Sequence, residues 1–175
     1  MPKYIDIEIV IDTVSLLGAV TPSQDPNNPA MIDHTTYSYM VAQTAYVNSG
    51  QASGNLSIKA VNNDTIRWRC LSLSGNTDQS AVVYNIVQFS GQKVTNDPIA
   101  VISQPYEPLP TIVNNQNTKP PTFTVVIDND YYLQATVNGH GTEQYKVFFY
   151  VTKQDPNGRP VLAGYYGWDP TITVA

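Results

Sequence analysis

The sequence predicts an all-β fold: an antiparallel β-sandwich of jelly-roll or immunoglobulin-like type, with about eight to ten strands and little helix. Three observations predict it. Apolar residues recur with period two in one short segment after another. Clusters of Asn, Asp, Gly and Pro separate those segments at strand-like intervals. No segment carries the apolar stripe of period 3.6 that an amphipathic helix needs.

The first segment is the clearest. In residues 4–12, Ile5, Ile7, Ile9 and Ile11 fall on one face and Asp6 and Glu8 on the other, as in a strand with one wet side. Residues 23–29 (Ser-Gln-Asp-Pro-Asn-Asn-Pro) form a loop. Residues 37–47 alternate again, with Tyr37, Tyr39 and Val41 in phase, and are expected to be a strand. Asn, Gly and Ser then turn the chain at residues 48–54, and residues 56–60 alternate. After Asn62-Asn63-Asp64, a strand over residues 65–71 places Ile66, Trp68 and Cys70 inward and Arg67 and Arg69 outward. Residues 81–89 are the next strand, with Val83, Asn85, Val87 and Phe89 opposed to Val82, Tyr84, Ile86 and Gln88. Strands are expected at 122–127, 131–137 and 145–152, joined by the turns Asp128-Asn129-Asp130 and Asn138-Gly139-His140-Gly141. Asp155-Pro156-Asn157-Gly158 turns the chain before an aromatic and then alternating end.

Residues 96–121 differ in character. Six of the thirteen prolines sit there, with Asn114-Asn115-Gln116-Asn117. Proline cannot donate to a ladder, so this stretch reads as a long surface excursion or edge segment. With no repeat and no sharp composition break, residues 1–175 are expected to form a single domain carrying this excursion.

Composition restricts the function classes. Charged residues are 13% of the chain, about half the usual share. The net charge is −5 and no basic cluster exists beyond the single pair Arg67 and Arg69. A nucleic-acid partner needs a cationic footprint, and none is present. No window has the length of a membrane span. Asp6 and Glu8 interrupt any signal-peptide core, so the expected address is the cytoplasm, with export by a route lacking a cleaved signal left open. Cys70 is the only cysteine, so no internal disulfide forms. Twelve Tyr against four Phe suit half-exposed contact surfaces and suggest a homo-oligomer, with a two-fold dimer favoured.

Catalytic chemistry finds no footing. His34 and His140 lie far apart, no Gly-x-Ser-x-Gly occurs, and Cys70 reads as a packed thiol. A blue-copper arrangement fails because Cys70 lies mid-chain in a strand. The expectation is a non-enzymatic protein.

Two binding chemistries remain. Calcium takes six to eight oxygens from carboxylates, amides and carbonyls, and Asp25 with Asp33, and Asp128, Asn129 and Asp130, form two oxygen-rich turns. The same residues commonly serve the backbone as turn caps. A glycan offers C–H faces to aromatic rings and hydroxyls to amides and carboxylates, so Asn27, Asn28, Tyr166, Trp168 and Asp169 are candidate ligand contacts. The competing reading is that aromatic strand residues fill cores and subunit contacts.

A resemblance adds to this reading. Ile5-Asp6-Ile7-Glu8-Ile9-Val10-Ile11-Asp12-Thr13, the loop Asp25-Pro26-Asn27-Asn28-Pro29 with His34 and Tyr39-Met40, Asp64-Thr65-Ile66-Arg67-Trp68-Arg69 with Ser72-Leu73-Ser74-Gly75-Asn76, and Gly164-Tyr165-Tyr166-Gly167-Trp168-Asp169-Pro170-Thr171-Ile172 together resemble the AidA/PixA inclusion-body protein family. The resemblance implies a bacterial protein made in quantity under growth-phase or quorum-sensing control, in some members as cytoplasmic inclusions. It brings no catalytic residues. Inclusion-forming members are methionine-rich, and the three Met here argue against simple storage. Two functions are therefore expected: a lectin-like binder of a glycan assisted by calcium, or a self-associating structural protein that forms inclusions.

Overall fold

A computed structural model describes residues 1–174, with side chains to residue 170. The chain divides into two compact units, one of Met1–Ala100 with Tyr132–Ala175, the other Val101–Tyr131. Both are built from strands.

In the first unit, β1 (Tyr4–Ile11) is followed by a helix, α1 (Thr13–Ala19), and by β2 (Ala30–Met31), β3 (Ser38–Ala42), β4 (Val47–Ser49), β5 (Ser57–Ile58), β6 (Thr65–Ser72) and β7 (Gln79–Gly91). The chain then passes through β8 (Ile99–Ser103), and the second unit adds β9 (Tyr106–Pro110), β10 (Ile112–Val113), β11 (Gln116–Asn117) and β12 (Phe123–Ile127). It closes with β13 (Asp130–Thr136), β14 (Gly141–Gln154), β15 (Pro160–Trp168) and β16 (Thr171–Val174).

The isoleucines of β1 are all buried, as their alternation requires, and Asp6 and Glu8 face outward. β1 pairs antiparallel with β3 and parallel with β6, in a register that sets Ile5 beside Ile66 and Ile7 beside Trp68. β6 pairs antiparallel with β13. In the second sheet, long β14 pairs antiparallel with β7, β15 and β16, and β2 adds to β15 in parallel. The purely antiparallel order expected from the sequence is therefore corrected: two pairings are parallel. The long stretch between β1 and β6 makes this possible, because parallel neighbours need a crossover rather than a hairpin. The strands are also more numerous and many are shorter than expected.

Four local expectations change. Asp12 caps α1 by accepting the Ser15 backbone N–H at 3.1 Å, so a helix of about two turns forms where none was expected. The expected strand over 37–47 is cut to β3, broken by a 3-10 turn, Thr44–Tyr46, and the residues it buries are Ser38, Met40 and Ala42 rather than the tyrosine phase. The expected strand over 56–60 shrinks to β5, although Leu56, Ile58 and Ala60 are buried. In β7 the register shifts between Val83 and Asn85. The bulge moves Ile86 into the core, where Ala81 and Val83 also lie, so no single phase describes this strand.

Candidate functional site

The aromatic run at the end of β15 is the first candidate, and its rings are divided between two environments. Tyr166 and Trp168 are fully buried. Phe149 of β14 stacks on Tyr166 at a centroid distance of 5.6 Å and meets Trp168 edge-on at 5.6 Å. The Trp168 indole N–H donates to the Gly54 carbonyl at 2.9 Å, and the Tyr166 hydroxyl donates to the Val20 carbonyl at 3.2 Å. The expectation of a sugar-stacking platform on these two rings is therefore corrected: they are core residues with their polar tips already satisfied. Gly167 lies between them, where an added Cβ would meet the Phe148 ring at 2.7 Å. Asp169, the next candidate, is exposed.

Tyr165 points the other way. With Tyr84 of β7 and Phe148 and Tyr150 of β14 it forms a half-buried aromatic patch. Tyr84 lies 5.6 Å from Tyr165, 6.2 Å from Phe148 and 6.3 Å from Tyr150. Its hydroxyl donates to the Pro26 carbonyl at 2.6 Å and so ties the 25–28 loop to the sheet. Burial, followed by the neighbouring Tyr165 and Asp25, pushes the Tyr84 phenol up to about 12. The patch was hidden from sequence reasoning because its members come from three strands. The only signal for it was the tyrosine content.

The oxygen-rich turns hold themselves. Asp25 accepts the Asn27 N–H at 2.9 Å, and its carbonyl accepts the Asn28 N–H at 3.1 Å. Asn27 and Asn28 are exposed. Asp33 accepts both the backbone N–H and the hydroxyl of Thr35 at 2.8 Å, which hold its carboxyl below the ordinary range. Asp128 accepts the Asn129 N–H at 2.7 Å, and the Asn129 side chain accepts from Gln104. Asp25 and Asp33 belong to the first unit and Asp128, Asn129 and Asp130 to the second. Among the described residues, no three His, Cys, Asp or Glu side chains gather where they could hold a metal ion.

Sequence reasoning passed over two buried carboxylates. Glu143 accepts the N–H groups of Val94 and Thr95, at 2.7 and 3.1 Å, and the Thr95 hydroxyl. Asp64 accepts the N–H groups of Lys3 and Val61 at 3.0 and 3.1 Å. Both act as fasteners of the main chain, since buried carboxylates persist where donors surround them. On the wet face of the first sheet, Asp6 accepts from Arg67 and Arg69, each at 2.7 Å. Arg67 lies 4.5 Å from the Tyr4 ring centre and Arg69 4.6 Å from that of Tyr132. Burial, with Glu8 adding to it, pushes the Cys70 thiol up, so it stays protonated near neutral pH and is a poor nucleophile.

A model of the PixA inclusion body protein family matches residues 3–174. The chain belongs to the PixA inclusion body protein family. The crystal structure of a PixA inclusion body protein from Burkholderia cenocepacia J2315 is similar over 99% of this chain and 97% of that one, with a TM-score of 0.83 at 23% identity. The PixA fold is thus shared along the whole chain. The solution structure of Amebosin aligns over 85% of this chain and all of its own, at 10% identity and a TM-score of 0.25, too low for any inference. No curated protein matches the chain. The PixA family is an inclusion body protein family rather than a known enzyme family. No helix among the described residues is long and apolar enough to cross a membrane.

Proposed function

We propose that this PixA-family chain is a self-associating structural protein of the inclusion-forming type, acting in the cytoplasm. One observation carries the reading. Large apolar side chains are left in solvent, Tyr106, Phe123 and Ile127 of the paired strands β9 and β12 among them, on a chain with only 13% charged residues. Contiguous exposed apolar surface marks contact sites, and sparse charge weakens the repulsion that keeps copies apart. The test is to express the full chain in bacteria and examine thin sections. Dense bodies that dissolve without denaturant into β-rich protein support the reading. Protein that stays evenly dispersed at the highest expression counts against it.

A second reading is favoured by the half-buried patch of Tyr84, Phe148, Tyr150 and Tyr165. A glycan would stack there rather than on Tyr166 or Trp168, with Asn27 and Asn28 on the neighbouring loop as hydrogen-bonding partners. Calcium, if it assists, would draw on Asp25 and Asp33 or on Asp128, Asn129 and Asp130, with Asp25, Asp33 and Asp128 giving up their present caps. Glycan-array binding with and without a chelator separates the two readings. Absence of signal in both conditions leaves self-association alone.

A further inference from the structure

The second unit carries a largely apolar face. β9 and β12 pair antiparallel, with Phe123 opposite Pro110, Val125 opposite Pro108 and Ile127 opposite Tyr106. Directly opposed residues of an antiparallel pair share a face, so these six form one continuous apolar surface. The two pairs between them, Thr124 with Leu109 and Val126 with Glu107, put the polar groups on the other side. Tyr106, Phe123, Val125 and Ile127 are 76%, 64%, 61% and 60% exposed. A half-buried strand normally turns such a face to a core; this one meets water.

We infer that this face of β9 and β12 is the surface through which two copies of the chain associate, face to face about a two-fold axis. The inference rests on the self-association proposed above and names its interface. Three observations choose the occupant. The face covers on the order of 600 Å² per copy, so a pair would bury about 1,200 Å², the lower bound of a specific protein interface. Its middle residue, Val125, sits between Phe123 and Ile127, so a two-fold axis through Val125 sets the large ring of one copy against the branched chain of the other. Pro108 and Pro110 remove two donors from β9, which disfavours strand addition at that edge and leaves face packing. A small molecule fits less well: the hollow beside the face, between Pro108, Pro110 and Phe123, holds about 260 Å³, below the range of about 300–1,000 Å³ for ligand pockets.

The test uses the full chain. Val125→Asp places a charge at the centre of the face, and Thr124→Lys places one on the opposite side. Sedimentation velocity should show the wild type and Thr124→Lys associating alike, and Val125→Asp weakened about 30-fold or more, as for a central interface residue. Circular dichroism and thermal melting establish that the variants are folded. Independently, Val125→Cys treated with a short bismaleimide should yield a covalent dimer, whereas the wild type, whose one cysteine, Cys70, lies half-buried on β6 and off this face, should not. If the wild type associates but Val125→Asp associates equally, or Val125→Cys is not captured, this face is not the interface and self-association still stands. If Thr124→Lys weakens association as much as Val125→Asp, the choice of face is overturned. If the wild type is monomeric at every concentration, both the inference and the reading beneath it fall.

Discussion

Trp68 of β6 and Tyr145 of β14 meet edge-on, with ring centres 6.3 Å apart and planes at 60°. They belong to the two large sheets of the first unit and both are buried, so this pair joins those sheets. Burial pushes the Tyr145 phenol up, so the pair stays neutral across the physiological range.

Truncating that contact should be costly. Trp68→Ala should lose about 3–5 kcal/mol of stability, the usual cost of emptying an aromatic core site. Urea denaturation measures it. A loss below about 1 kcal/mol would mean that the sheets do not depend on this contact.

The Asp6 cluster predicts an acid dependence. Burial alone would raise the Asp6 carboxyl, but hydrogen bonds and charge from Arg67 and Arg69 outweigh it and hold the carboxyl below its ordinary value of 3.8. A carboxyl lowered by folding stabilises the native state above its unfolded value, and that contribution disappears as pH falls through the folded value. Asp6→Asn should therefore lower the stability measured by urea denaturation at pH 7, by about 1 kcal/mol for a partly exposed pair. The gap to wild type should close as the pH drops below 3.8. A gap that is constant with pH would refute the charge role.

Gly164 predicts a backbone effect. It sits at the bulge between β14 and β15 with φ +152°, where an added Cβ would meet Pro22 Cβ at 2.4 Å and the Ser23 carbonyl at 2.6 Å. Gly164→Ala must strain the chain and push the 22–23 segment off the sheet, costing about 1–3 kcal/mol. A thermal melt unchanged from wild type would show that the approach is loose.

Tyr84→Phe removes the hydrogen bond to the Pro26 carbonyl. Stability should fall by about 1 kcal/mol. Amide exchange and limited proteolysis should quicken at residues 25–28 while the core strands stay protected. Equal protection of that loop in both proteins would show that the phenol does not anchor it.

The residues explain what was legible beforehand and what was not. β1 and β6 could be read because each has one dry and one wet face, so alternation reports them directly. Their parallel pairing could not, because alternation records which face is buried and not the direction of the neighbour. α1 escaped because seven residues with Thr13 and Leu16 as their buried positions make no stripe, although Asp12 with Ser15 was a capping signal. Tyr166 and Trp168 looked like a platform because their strand is aromatic on both faces. Only the structure separates Tyr165, half-exposed, from its two buried neighbours. The prolines that marked residues 96–121 as an excursion also hid β9, whose pairing with β12 needs Pro108 and Pro110 only as members of the ladder's faces. Of the candidate calcium residues, Asp130 opens β13 rather than lying in a turn, and local backbone hydrogen bonds account for Asp25, Asp33 and Asp128.

Sedimentation velocity of the wild-type chain over a wide concentration series tests the central claim most directly. Reversible association is expected, with the weight-average sedimentation coefficient rising from the monomer value towards that of a dimer or larger assembly in the micromolar range or above, as for an interface of about 1,200 Å². A single monomeric boundary that does not change up to the highest attainable concentration would contradict it.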